Sequence, residues 1–462
     1  MEFLLINTAG GYGFVGTNKK HVQRLPHSPP LGLLYIGKSL EDEGHTAKII
    51  EYFGEEYPNK KIKNILPSFN AVGISVSTAN YKIAVKLTEM IRENDPSLPI
   101  IIGGPHCTFH PKESLKEIPN ADISVEGEGD FVIKDVAKYL EGKMKLSEIS
   151  GIHYTRKNSI KSGKPPKIIK DLDSLPFPSR NLVNKYDYGK INNSYLFKPK
   201  LTSIITSRGC PFRCRFCTRH CITYKTYRQR SAENVIKEIQ KISENYGSAL
   251  IVDDNFLTDR KRINKIMDRL IELNLDIELL ISAARVDSAN EELYKKMKKA
   301  GVKYLGFGIE SGSQEVLDFY NKKITLHQIR KAVNLSRKMN FVTTGNFIFG
   351  APIESEDHIK QTIKFALSLP LDVALFNPLY YMYGSDLWNE AVEGGKIDES
   401  DGYWISADSR RDLGNFSKES LLKFCETAAR KFYVRPSYIA REISRSIMRK
   451  DFKLLKTGIL NF

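Results

Sequence analysis

Residues 201–221 read LTSIITSRGCPFRCRFCTRHC, a β-like run followed by three cysteines spaced C-x3-C-x2-C. Leu201 to Thr206 predicts a strand, and Ser-Arg-Gly predicts the turn that leaves it. Such short spacings wrap Cys210, Cys214 and Cys217 tightly, so that three thiolates can face three irons of a cubic 4Fe–4S cluster. The fourth iron is then left open, which is a catalytic feature rather than a purely electron-carrying one. A zinc ion with His220 or Cys221 as fourth ligand is the alternative, although the spacing is not the paired C-x2-C of structural zinc. Cys221 is a further ligand, a reactive thiol or a mere neighbour; the three-cysteine pattern is complete without it.

Working outward, residues 201–375 alternate strand and helix six times. The strands are expected at 201–206, 248–253, 277–283, 303–309, 342–349 and 372–377. The helices are expected near 231–246, 259–274, 289–300, 313–320, 325–340 and 355–369. Six parallel units give an open, partial (β/α)6 TIM barrel, whose functional residues gather at the strand carboxyl ends. There the chain places Asp253-Asp254-Asn255, then Ser282 and Arg285, then Glu310-Ser311-Gly312-Ser313. The fifth strand runs through Asn346 and Ile348 toward Glu354. Bland readings stand beside these: Arg285 pairing with Asp254, Glu310 capping a helix, Phe216 in the core, and Asp253 with Asp254 too little for a metal site.

Residues 1–145 show short apolar runs at Phe3–Ile6, Ala47–Ile50, Ala71–Val76, Ile100–Ile102 and Ile123–Val125, with helical stretches near 31–43, 80–94 and 129–141. This alternation predicts an α/β, doubly wound parallel sheet of Rossmann-like form, with ligands bound beyond the strand carboxyl ends. The loops there hold Asn7, Thr8, Gly10 and Gly11; Ser75, Ser77 and Thr78; Gly103, Gly104 and His106; and Glu126 and Gly127. No G-x-G-x-x-G follows the first strand, which weighs against a dinucleotide. Residues 146–200, rich in Lys, Ser, Pro and Asn, read as a linker containing a hairpin. Residues 376–462 read as a mainly helical C-terminal cap with clustered tyrosines and tryptophans. Its tail, Tyr438–Leu455, is basic and amphipathic, which permits peripheral membrane contact or packing back on the barrel.

The three-cysteine loop, with Phe216 before its last cysteine, resembles the radical S-adenosylmethionine (SAM) superfamily. The segments PPLGLLYIGKSLEDEGH, GISVST, IIGGPHCTFHP and ADISVEGEGD resemble the cobalamin-binding domain of cobalamin-dependent radical SAM enzymes, the group that includes the anaerobic magnesium-protoporphyrin cyclase. The resemblance implies a 4Fe–4S cluster on Cys210, Cys214 and Cys217, with SAM chelated by the open iron and cleaved to a 5′-deoxyadenosyl radical. It implies SAM contacts from Phe216, Arg285, Glu310, Ser311, Asn346 and Ile348. Cobalamin contacts are implied at Asn7, Thr8, Ser75, Ser77, Thr78, Gly103, Gly104, His106, Glu126 and Gly127. The D-x-H-x-x-G motif of the methionine-synthase type is missing, so His45 is not expected to ligate cobalt. The implied activity is methyl transfer from SAM through methylcobalamin to an unactivated carbon, with an electron donor such as ferredoxin or flavodoxin. Cyclisation, oxidation or carbon–carbon coupling on a porphyrin or lipid is the alternative chemistry. A SAM- or cobalamin-sensing binding protein is the alternative class, and the cysteine loop argues against it.

The whole chain has 462 residues, 41% of them hydrophobic and 27% charged, as expected of a globular chain of about three domains. Six cysteines, three in one loop, do not make a disulfide framework and favour a reducing, cytoplasmic setting. The N-terminus reads as a first strand rather than a signal peptide, and no apolar run is long enough to span a membrane. The net charge of +16 comes from scattered lysines without a nucleic-acid motif, so a solvated basic surface or an acidic substrate is favoured over nucleic acid.

Overall fold

Strand β1 (Glu2–Asn7) is buried from Phe3 to Asn7, as a strand must be when helices cover both faces of its sheet. The computed structural model describes residues 1–8, 28–55, 58–157, 159–191, 194–398, 401–449 and 452; Gly10 and Gly11 lie outside them. β1 pairs in parallel with β2 (Thr46–Glu51) on one side and β3 (Ala71–Ser75) on the other. β4 (Ile100–Gly103) and β5 (Ile123–Val125) continue the parallel sheet in the order 2-1-3-4-5. Leu4, Ile6, Val72 and Ile74 pack under the helices Pro58–Ile65 and Tyr81–Asn94. The helices Leu31–Asp42 and Gly129–Leu140 pack together on the other face.

The stretch expected as a linker contributes more than a link. Ile152–Arg156 (β6) and Ser159–Ser162 (β7) form an antiparallel hairpin that extends the sheet from β5. Beyond it, the Glu51 N–H donates to the Tyr186 hydroxyl at 2.9 Å, and that hydroxyl in turn donates to Glu55. Lys185 also bonds Glu55, at 3.0 Å. Residues up to 187 therefore belong to the first compact unit. Their polar composition misleads because an edge hairpin needs only one buried face.

In the second unit six strands, Leu201–Ile204, Ser248–Ile251, Glu278–Ala284, Val302–Glu310, Val342–Phe349 and Val373–Pro378, form one parallel sheet in sequence order. Helices at 232–243, 260–273, 291–299, 314–319, 326–338 and 356–368 intervene, giving the partial barrel. Leu305, Phe307 and Ile309 of the fourth strand enter the core shared with the helices; Tyr304, Gly306, Gly308 and Glu310 lie on the opposite face by strand alternation. The C-terminal region is mainly helical, with helices Asp386–Glu393, Lys418–Tyr433 and Pro436–Arg449. A short ladder, Tyr380–Met382 against Trp404–Ser406, continues beyond the sixth strand. Tyr381 and Trp388 are core residues there, whereas Trp404 remains exposed, edge-on to Tyr380. No helix among the described residues is long and apolar enough to cross a membrane.

Burial by itself would raise the Glu55 carboxyl, but bonds from Lys61, Tyr186 and Lys185 outweigh it and hold it down at about 2. A depressed carboxyl stabilises the fold above its unfolded value near 4.5, and that contribution is lost as pH falls toward 2. Glu55→Gln is expected to cost about 2 kcal/mol at pH 7 and to flatten the acid limb between pH 4.5 and 2. Urea unfolding of the two proteins as a function of pH checks this.

Candidate active site

The cysteine loop begins at Gly209, whose φ is +90°. A Cβ there would lie 2.0 Å from the Thr226 carbonyl oxygen, so only glycine fits. Ser207–Arg208 pairs antiparallel with Arg228–Gln229 and closes the base of the loop. Asp253, at the end of the second barrel strand, accepts bonds from the Thr206 N–H and from the Thr206 and Ser207 hydroxyls, each at 2.6 Å. Arg262 donates to the Thr206 and Arg230 carbonyls at 2.8 and 2.7 Å. Asp253 thus fastens the loop rather than facing a ligand. Asp254 makes an ion pair with Arg219 at 3.2 Å.

Within the loop the Cys217 N–H donates to the Cys214 carbonyl at 2.9 Å, making the tight turn that the spacing predicts. Burial raises all three thiols, Cys217 to about 11. Each sulfur also has a donor that favours its anion: the Phe212 N–H for Cys210, Arg285 for Cys214 and the Arg219 N–H for Cys217. Lys322 adds positive charge near Cys214. Three soft thiols on one turn, each with a donor and with cations at hand, fit an anionic iron–sulfur cluster. Cys221 turns away to the Gly384 carbonyl at 3.1 Å and serves the C-terminal region.

Facing this loop, Glu310 ends the fourth strand at φ +67°, a left-handed position unusual for a residue with a side chain. Its carboxylate accepts the Lys322 ammonium at 2.6 Å, and both side chains are less than one-tenth exposed. Burial alone would lower the lysine; the Glu310 carboxylate outweighs it and holds the lysine above its ordinary value. Gly308 makes room for the pair, since a Cβ there would lie 2.4 Å from Glu310 Oε1 and 2.9 Å from Lys322 Nζ.

Arg285, expected as a forked donor for the SAM carboxylate, has its partners within the protein. It pairs with Asp287 at 2.9 Å, donates to the Lys322 carbonyl at 2.8 Å and stacks on Phe212 with its guanidinium carbon 3.6 Å from the ring centre. It positions the cysteine loop. Ser311, expected at SAM, is fully buried, and its hydroxyl meets Thr362 at 3.0 Å and accepts the Ser313 N–H. Asn346 and Ile348 are half-buried on one face of the fifth strand, alternating with buried Phe347 and Phe349. Phe216 lies edge-on to Tyr320 at 5.0 Å, between core and site. Glu354 is wholly buried, and burial raises its carboxyl to about 7 although the Gly350 and Ala351 N–H groups donate to it.

In the first unit the carboxyl edge of the sheet is built from the expected loops. Thr8 donates to the Ser75 carbonyl at 2.6 Å, and Asn80 to the Thr8 carbonyl at 3.2 Å. The Val76 N–H reaches the Gly103 carbonyl at 2.7 Å, and a Cβ on Gly104 would lie 2.8 Å from the Val76 oxygen. Ser75, Ser77, Thr78, Gly103, Gly104 and Gly127 remain partly accessible along this edge. Backbone and hydroxyl donors beside glycines suit a large polar-rimmed ligand such as a corrinoid. Asn7 is instead buried against Glu51 at 2.8 Å, and Glu126 turns to His153 at 3.0 Å. His106 is expected in a ligand loop. It sits in the short helix Pro105–Phe109, fully buried, stacked on Tyr81 and bonded to Glu117 at 2.9 Å, so its ring faces the interior. His45 lies beside the Met1 amino group, at the amino edge of the sheet.

Lys322, Asp287 and Gly308 are the site residues that sequence reasoning missed. The G-x-G-x-E alternation of Gly306, Gly308 and Glu310 is a readable signal for the last of these; the other two have none.

Residues 204–366 match the radical SAM superfamily, and residues 24–137 match the B12-binding domain. The chain is 32% identical over 422 residues to an uncharacterized methyltransferase of Pyrococcus horikoshii, covering 90% of each protein. It is 26% identical to the anaerobic magnesium-protoporphyrin IX monomethyl ester cyclase of Cereibacter sphaeroides, over 75% of this chain and 57% of the cyclase. Its fold is similar to that of TsrM from Kitasatospora setae, a radical SAM methyltransferase solved with tryptophan and a SAM analogue (TM-score 0.69, 16% identity, 85% of this chain and 76% of TsrM). The chain is therefore a radical SAM enzyme. Within that superfamily it belongs to the cobalamin-dependent enzymes, and its cofactors are a 4Fe–4S cluster, SAM and cobalamin.

Gly308→Ala is expected to push Glu310 off Lys322 and to lower stability by about 1–3 kcal/mol, the usual range for overpacking a close site. Thermal unfolding, with isothermal titration of SAM to the cluster-loaded protein, reads out both the destabilisation and the weakened binding.

Proposed function

We propose that this enzyme is a methyltransferase that moves a methyl group from SAM, by way of the corrinoid, to an unactivated carbon of its substrate. The observation that supports this reading best is the turn holding Cys210, Cys214 and Cys217 beside the Glu310–Lys322 pair, in a chain with a B12-binding domain. Bound here, a cluster supplies the electron that breaks SAM, and a corrinoid supplies a carrier for the methyl group. In this reading Cys210, Cys214 and Cys217 hold the cluster. Glu310 receives the SAM amino group, with Lys322 fixing the carboxylate in place. Asn346, Ile348 and Phe216 form the slot beside it. Ser75, Ser77, Thr78, Gly103, Gly104 and Gly127 hold the corrinoid through backbone and hydroxyl groups. An external one-electron donor such as ferredoxin or flavodoxin completes the cycle.

Cyclisation or oxidation without methyl transfer is a second reading, favoured by the likeness to the magnesium-protoporphyrin cyclase. Methyl-labelled SAM distinguishes the two. Label is expected to pass from SAM to cobalamin in the reduced, reconstituted enzyme; deoxyadenosine formation with no label on cobalamin supports the second reading. Cys214→Ala is expected to lose the cluster absorbance and SAM cleavage while still binding cobalamin. Retained cleavage refutes the cluster assignment.

A further inference from the structure

The helix Pro436–Arg449 packs the wrong way round for a soluble cap. Its buried face is polar: Glu442, Arg445 and Ser446 are each less than 5% exposed. Arg445 forms an ion pair with fully buried Asp372 and donates to the Phe341 carbonyl at 3.1 Å. Tyr438 donates to the Asp372 carbonyl at 2.7 Å, and Arg441 to that of Leu371. Its outward face is apolar, with Ile439, Ile443 and Ile447 exposed at 43%, 42% and 60% on successive turns, and Val434 exposed just before the helix. An i, i+4, i+8 stripe of isoleucines is ordinarily the side a helix buries. Here buried ionic contacts hold the helix so that this side points to solvent.

We propose that this stripe docks on the surface of an anionic lipid bilayer, the helix lying in the plane of the interface. Charge selects this occupant. Besides the buried Arg445 and Glu442, residues 430–456 contain eight lysines and arginines against one acidic residue, and each basic residue near an anionic surface adds to the attraction. A second copy of this chain, with its net charge of +16, would bring the same positive segment against itself. At 14 residues the helix is too short to span and suits interfacial binding. Asp372 and Phe341 precede the sixth and fifth barrel strands, so the lipid-facing helix sits at their amino ends, away from the cysteine loop at the carboxyl ends of the barrel. The docking therefore localises the enzyme rather than feeding lipid tails directly into the barrel mouth.

The test is co-sedimentation of the full-length holoenzyme with vesicles of phosphatidylglycerol and phosphatidylcholine, and with vesicles of phosphatidylcholine alone. Binding is expected to anionic vesicles only and to weaken as salt is raised. The double variant Ile443→Glu, Ile447→Glu is expected to bind at least about tenfold more weakly with its melting temperature retained, because both side chains are already exposed. The milder Ile443→Ala, Ile447→Ala pair is expected to fall between the two. Equal binding by variant and wild type, or no binding to anionic vesicles, overturns the proposal. So does a wild-type dimer that ignores vesicles and that the variant converts to monomer by light scattering.

Discussion

Glu310 and Lys322 are two opposite charges closed off from water, and the geometry of the barrel mouth follows from satisfying them. Leaving either one alone in that place costs several kcal/mol, and the pair is tolerable only because contact and charge are well matched. Gly308 keeps the space open, and the left-handed backbone at Glu310 aims its carboxylate across that space. Such a backbone conformation persists where its surroundings over-determine it. The constraint then spreads: the Lys322 carbonyl takes Arg285, and Arg285 stacks on Phe212 inside the cysteine turn. The ion pair, the arginine and the cysteine turn are one connected object. Preorganisation of this kind spares the site from rearranging when charge develops in it.

The base of the cysteine loop obeys a second constraint, this time of backbone packing. Gly209 touches the Thr226 carbonyl, and the carboxylate of Asp253 replaces the hydrogen bonds that the chain loses on leaving the first strand at Ile204. A buried acid with three donors holds its position better than a loop held by apolar contacts, because hydrogen bonds specify direction. The neck is therefore held by polar bonds, and the turn beyond it is tied at Arg213 to Asn321 and at Arg215 to the Tyr320 carbonyl.

How far the sequence could be read depended on the kind of signal each feature leaves. The barrel strands were legible almost to the residue, because parallel strands buried on both faces are continuous apolar runs. The cysteine turn was legible because its spacing is local. The interior partners of Arg285, Ser311 and His106 were not, for one shared reason. Each is a polar residue at a strand end, and whether it faces ligand or interior depends on a partner distant in sequence or hidden in a loop: Lys322, Thr362 and Glu117. Lys322 itself lies in the undistinguished run Asn321-Lys322-Lys323, where only the fold brings it to Glu310. The hairpin at 152–162 was legible, but the lysines and serines along it hid its membership of the first sheet.

The same use of buried charge recurs at the opposite end of the barrel, with a different consequence. Asp372 accepts the Thr343 N–H at 2.8 Å and receives Arg445, so a charge placed at the start of the sixth strand becomes the seat of a helix some seventy residues later. An apolar seat would be indifferent to rotation about the helix axis, and the isoleucines would turn inward to bury more surface. A guanidinium fixed to a carboxylate and a carbonyl has a direction, so it sets the rotation as well as the position. At the mouth this directional binding aims a carboxylate into the site; at the base it aims an apolar stripe away from the core. In both places the charge is retained for orientation, which a hydrophobic contact of similar size cannot supply.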